Sequence, residues 1–376
     1  MTSRERILAA LSGKSTDRLP WAPLVDPYFI SSIHLQGYHT DIIQTMRDVI
    51  GCDIIERHVA CPTEFYKNVE VREESRDGVR RKIYDTPVGS IFEERKKSGN
   101  TEYVSRHMVE TLEDMKVFTY LCEHTYYQPD IQAFLEREKY IGDAGIATAD
   151  GNMSPIQNML QFTAGVENTV YLQMDYPDEM DELLEAMHER NKRQYAAVLE
   201  YPTSVIFDYE DTSTTVMSRT MFEDYSLPAI NDYAQMAKNA GKIFITHMCG
   251  KLTGFLDLVG QGCQDGVDSV CPPNTGDLYP WDARRAWGRQ KVLIGGIDPP
   301  SLVRMDQAQT LQTVCEIIQK VEDKQGFILS TGDAVPYATP MENLRIVSRL
   351  LQHLGPRSLT CEIDAEQVRQ LLDSLV

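Results

Sequence analysis

The chain of 376 residues is expected to be α/β and to fold as a (β/α)8 TIM barrel. Three observations predict this. Apolar, β-branched runs alternate with segments of helical period, which implies parallel strand pairing. About eight such strand–helix units follow one another, the count of a closed barrel. No Gly-x-Gly-x-x-Gly follows an early strand, which weighs against the alternative, an open doubly wound sheet that binds a dinucleotide. One domain is expected over residues 1–376, with a small β-hairpin insertion at about residues 66–105.

Taken in order, strands are expected near Trp21–Val25, Asp53–His58, Gly145–Ala149, Ser204–Tyr209, Ile243–His247, Gly266–Val270, Val292–Ile297 and Phe327–Thr331. Amphipathic helices fill most of the gaps. "PDEMDELLEAMHERNKRQYAAVLEY" places Met180, Leu183, Leu184 and Met187 at helical spacing, with acids in its first turn. "MENLRIVSRLLQHLG" ends in Gly355, a C-terminal cap. One segment breaks the rhythm: "VEVREESRDGVRRKIYDTPVGSIFEERKKSG", Val69–Gly99, is polar and has turn signals at Asp77-Gly78 and Pro87-Val88-Gly89. It reads as a hairpin excursion.

Composition narrows the function. Hydrophobic residues are 42% and charged residues 25%, ordinary for a globular protein. The net charge of -19 argues against nucleic acid and against a basic membrane-binding patch. The opening "MTSRERILAALSGKSTDRLPW" does not read as a signal peptide, and no run of ~18 apolar residues suggests a membrane span. The eight cysteines, at 52, 61, 122, 249, 263, 271, 315 and 361, have no disulfide-framework spacing. A reduced, cytoplasmic protein is expected.

Barrel enzymes build their sites at the C-terminal ends of the strands. There this sequence places Asp26 and Tyr28, His58 and Cys61, Asp150 and Asn152, Glu210 and Asp211, His247 and Cys249, Cys271, Asp298 and Asp333. The sharpest item is His247-Met248-Cys249 in "KIFITHMCGK". Side chains alternate along a strand, so His247 and Cys249 face one way. Imidazole nitrogen and thiolate sulfur are both zinc ligands, and a catalytic zinc needs three protein ligands with one open position. Cys271, Asp333 and Glu210 compete to be the third. The plainer reading makes Cys249 a small core residue and His247 a hydrogen-bonded strand end. Asp298 reads as a helix cap, with Pro299 at the first helical position. Cys52, Cys315 and Cys361 read as packing residues.

Four stretches, in order, carry a resemblance: "IFDYEDTSTTVMSRTMFEDYSLPAI", "FITHMCG", "VLIGGIDPPSLV" and "GFILSTGDAVPYATPMENL". In order and spacing the chain resembles the uroporphyrinogen decarboxylase superfamily, from Asp17 to about Gly355. The resemblance implies the same barrel fold. The decarboxylases of this superfamily bind an eight-carboxylate porphyrinogen through an Arg-Gln-Ala-Gly-Arg-type loop after the first strand. Here no Lys or Arg lies between Arg18 and Arg47, and Gly332-Asp333-Ala334 stands where they carry Gly-His-Gly. The other branch, corrinoid-dependent zinc methyltransferases, has His-x-Cys after the fifth strand, which His247 and Cys249 match. Its thiol-methylating members take their third zinc ligand from a Cys after the eighth strand, where this chain has Asp333.

The resemblance therefore implies Zn²⁺ at His247 and Cys249, completed by Asp333 or Cys271. It also implies a corrinoid (cobalamin) carried by a separate protein. The expected activity is methyl transfer from a small, methoxylated donor to that corrinoid, with Glu210 and Asp211 as catalytic acids. A homodimer is in keeping with the superfamily. The alternatives are uroporphyrinogen decarboxylation and a non-catalytic ligand- or metal-binding barrel.

Overall fold

The structure, a computed structural model, describes residues 1–33, 37–38, 41–99, 101–360 and 362. Cys361 and the side chain of His58 lie outside that set. In chain order the strands are β1 (Ile54–Ala60), β2 (Thr63–Tyr66), β3 (Glu70–Arg76), β4 (Val79–Thr86), β5 (Gly89–Ser98), β6 (Thr101–Arg106), β7 (Thr125–Gln128), β8 (Gly145–Gly151), β9 (Val205–Tyr209), β10 (Ile243–His247), β11 (Gly266–Val270), β12 (Val292–Ile297) and β13 (Phe327–Thr331). A seven-stranded parallel sheet runs β1-β8-β9-β10-β11-β12-β13.

The two ends of that sheet meet through one segment. Trp21 forms a parallel bridge with Leu329 of β13. Ala22 N donates to Leu329 O at 2.9 Å, and on the other side Asp53 N donates to Trp21 O at 2.7 Å, just before β1. The barrel predicted from the sequence is thus present, but its first element is a bridge and not a strand over Trp21–Val25. Pro20 and Pro23 supply no N–H, and the Trp21 N–H goes to the Asp53 carboxylate at 3.0 Å. The other seven expected strands match to within a few residues.

Strand alternation sorts the core into two layers. Ile55, Ile146, Val205, Phe207, Ile245, Ile294 and Ile328 pack together inside the barrel. Their neighbours Ile54, Ala147, Ile206, Phe244, Leu293 and Phe327 point outward, under the helices. Helix Ser3–Leu11, opened by a capping box between Thr2 and Glu5, inserts Ile7, Ala10 and Leu11 among the interior residues and plugs the barrel floor. With the floor closed, a small molecule is left the C-terminal mouth. Outside, helix Pro177–Val198 buries Met180, Leu183, Leu184 and Met187 as its spacing predicts. Helix Met341–Leu354 ends at Gly355, whose φ of 51° with ψ of -129° is a backbone conformation open to glycine.

The insertion is larger than the one hairpin expected. It is a four-stranded antiparallel sheet, β3-β4-β5-β6, while β2 and β7 pair separately. Asp77-Gly78, both at positive φ, make the predicted turn between β3 and β4. Tyr84 and Ile91 anchor the sheet in the core cluster that holds Val117 and Phe118 of helix Leu112–Glu123. No described helix is long and apolar enough to cross a membrane.

Candidate metal centre

His247 is the last residue of β10 and shares the inward face with Ile243 and Ile245. It is buried, and Met248 turns outward into the helical layer. Beyond the strand, Gly250 lets the chain pass close to its neighbour. A Cβ there would collide with Ser213 and the Thr212 carbonyl. That close passage carries Cys249 towards Asp211, the residue following Glu210 at the end of β9.

His247, Cys249 and Asp211 converge: one ligand atom from each lies within 4.8 Å of the others. Asp211 Oδ1 is 3.6 Å from His247 Nε2 and 3.7 Å from Cys249 Sγ. Around a tetrahedral zinc the ligand atoms stand roughly 3.3–3.6 Å apart, given the usual Zn–N, Zn–O and Zn–S lengths. The donor set of one imidazole, one thiol and one carboxylate therefore fits zinc in both type and spacing. Asp333 Oδ1 stands 4.0 Å from His247 Nε2.

The surroundings orient these groups. His247 Nδ1 faces Asp268 Oδ2 at 2.6 Å, which assigns its proton to Nδ1 and leaves the Nε2 lone pair for the mouth. Asp268 is fully buried on β11 and accepts two hydrogen bonds, both 2.8 Å, from the Arg57 guanidinium of β1. Burial alone would lower the His247 pKa, but the Asp268 hydrogen bond and charge outweigh it and raise it. Asp211 is held likewise. Gln161 Nε2 donates to Oδ2 at 2.9 Å, and the backbone sits at φ 44°, outside the regions most side chains favour. Burial first, then the charges of Asp211 and Asp333, push the Cys249 thiol well up. A bound cation would reverse that.

The other candidates fall elsewhere. Glu210 is fully buried and accepts from Ser154 N at 2.7 Å and from the Ser154 hydroxyl, so it ties β9 to the turn opening helix Pro155–Asn158. Burial raises its pKa to about 7. Cys271 is buried with its sulfur against the Gly332 backbone, and is not one of the three converging groups. Asp298 caps helix Pro299–Arg304 by accepting from Ser301 N, as expected. Sequence reasoning passed over Asp268, Arg57 and Gln161. The first had a signal: an acid at an inward position of the buried strand "GVDSV" needs a partner.

A cavity of about 430 Å³ opens on His247 and Asp333. Leu24, Val25, Met46, Ile55 and Tyr209 form much of its wall. Its size and mixed lining suit a small molecule.

A solved methyltransferase from Methanosarcina mazei is similar over 94% of this chain and 99% of its own, at 14% identity and a TM-score of 0.61, a likeness of fold. D-psicose 3-epimerase from Clostridium cellulolyticum, solved with D-tagatose, overlaps 65% of this chain and 82% of its own at 12% identity and a TM-score of 0.34. No curated protein sequence matches the chain. The family model "Uroporphyrinogen decarboxylase (URO-D)" matches residues 109–353, a span that takes in β8 to β13 and the His247–Cys249 stretch, and the chain belongs to that family.

Proposed function

We propose that this protein is a zinc-dependent methyltransferase, and that it moves a methyl group from a small methoxylated donor to the cobalt of a corrinoid held by a separate protein. The observation that carries the reading is the convergence of His247, Cys249 and Asp211 at the barrel mouth, with His247 oriented from behind by Asp268. These three residues would hold zinc, with Asp333 the nearest further carboxylate. Bound there, zinc supplies Lewis acidity towards the oxygen that the methyl group leaves.

The chain's own residues do the rest. Asp268 keeps the proton of His247 on Nδ1. Asp211 stands 3.7 Å from Cys249 Sγ, so the two donors are already side by side, and the thiol proton would be released to solvent as a cation binds. Leu24, Val25, Met46 and Ile55 exclude water from the donor and fix its position against His247. A set with one thiolate and a carboxylate is harder than one with two thiolates, which favours an oxygen-bearing donor over a thiol.

The test is direct. Zinc-loaded protein is mixed with free reduced cobalamin and a panel of methoxylated and methylthio compounds, and transfer is followed in the corrinoid's visible spectrum. The reading predicts turnover with an oxygen donor, and none for Cys249→Ala. Equal turnover by both proteins would overturn it.

A further inference from the structure

The charge balance of the cavity bears on what the donor carries. Two cations line it, and both are engaged. Arg57 is held in two hydrogen bonds by Asp268. Arg137 is paired with Glu56, whose carboxylate also lines the cavity. That leaves Asp26 and Asp333. Each accepts a backbone N–H at 2.7 Å, from Phe29 and Ala334 respectively. Neither has a Lys or Arg partner among the described residues. The sequence extends this to the whole of both loops: no Lys or Arg lies between Arg18 and Arg47, or between Gly332 and Leu344.

The two loops also meet through aromatic rings. Tyr28, two residues past Asp26, lies against Tyr337, four past Asp333, with centroids 4.9 Å apart. Tyr28 is 43% exposed. Asp26 and Asp333 line one cavity without a Lys or Arg partner, Asp333 facing His247 Nε2 at 4.0 Å, and the tyrosine pair stands on the same two loops, a setting that attracts an organic cation and repels an anion. Burial, with the Asp333 charge adding to it, already pushes the Asp26 carboxyl up, a repulsion that a cation between them would relieve.

We infer that the donor bound in this cavity carries an ammonium or other organic cation, seated between Asp26 and Asp333, and bears no carboxylate at that end. The inference rests on the methyl-transfer reading and names its substrate class. Asp26 lies outside the converging metal residues, so the two claims can fail separately.

The experiment is calorimetric titration of the full chain with three isosteres: choline, the neutral alcohol in which a tert-butyl group replaces trimethylammonium, and tert-butylacetate. Choline should bind about tenfold more tightly than the alcohol, and tert-butylacetate most weakly. Asp26→Asn keeps a side chain that can still cap the helix at Pro27, and should weaken choline about fivefold while leaving the alcohol unchanged. Equal binding of all three, tighter binding of the acid, or no loss of choline in Asp26→Asn would overturn the inference. Zinc content of the same samples reads the other claim. Zinc without cation preference removes this inference and leaves methyl transfer standing; cation preference without zinc does the reverse.

Discussion

Replacing Asp268 with Asn probes how the centre is held. The Asp268 carboxylate does two jobs at once: it fixes His247 through Nδ1 at 2.6 Å and neutralises the buried Arg57 guanidinium. Loss of the carboxylate behind a metal-bound histidine typically costs 10–100-fold in metal affinity, about 1.4–2.8 kcal/mol. It also leaves Arg57, its side chain 2% exposed, without a countercharge, which costs about 3–5 kcal/mol when a buried pair is broken. Zinc affinity is read by competition with a chromophoric chelator, and stability by urea denaturation. The double variant Arg57→Met/Asp268→Asn separates the two effects. Removing both charges should recover most of the stability, because no buried ion is left alone. It should not recover zinc affinity, because His247 still lacks its carboxylate. A folded Asp268→Asn protein with zinc affinity within about threefold of wild type would refute the reasoning. So would a double variant that regains zinc affinity together with stability.

Further predictions concern the ligand set, the barrel floor and acid stability. Asp211→Ala should weaken zinc strongly and Cys271→Ala should leave it unchanged, measured by the same competition; the opposite pattern would move the third ligand to Cys271. Asp333→Ala should weaken zinc if its carboxylate closes in from 4.0 Å, and otherwise alter donor binding alone. Leu11→Ala opens a hole in the floor plug and should cost about 2–5 kcal/mol in urea unfolding, with zinc stoichiometry intact. Burial would raise Asp17, but Arg6 and the terminal ammonium outweigh it and hold its carboxyl well below the usual range. A depressed carboxyl stabilises above its unfolded value, about 3.9, and loses that contribution as pH falls through the folded value. The stability gap between wild type and Asp17→Asn should therefore be open at neutral pH and close in strong acid, and a gap that widens in acid would contradict it.

The barrel was legible because seven strands are short apolar runs bounded by turn residues, as in "KVLIGGI" and "GFILST". The first element was over-read: "PWAPLV" is apolar, but two prolines and a carboxylate that takes the Trp21 N–H leave only a bridge. The insertion was seen through its turns and undersized, since β6 carries no comparable signal. At the site, His247 and Cys249 followed from strand periodicity. The partner at β9 did not. Asp211 and Glu210 are adjacent acids, and periodicity cannot say which one faces the mouth when the backbone leaves the strand and takes positive φ at Asp211 itself. Asp268 and Arg57 are 211 residues apart in sequence, so only the closed barrel brings them to His247.

Elemental analysis of the purified protein beside its Cys249→Ala variant tests the central claim most directly. The account predicts zinc in equimolar amount with the wild-type chain and its loss from a variant that keeps the fold. Absence of zinc from both, or equal zinc in both, would contradict a metal centre at His247, Cys249 and Asp211.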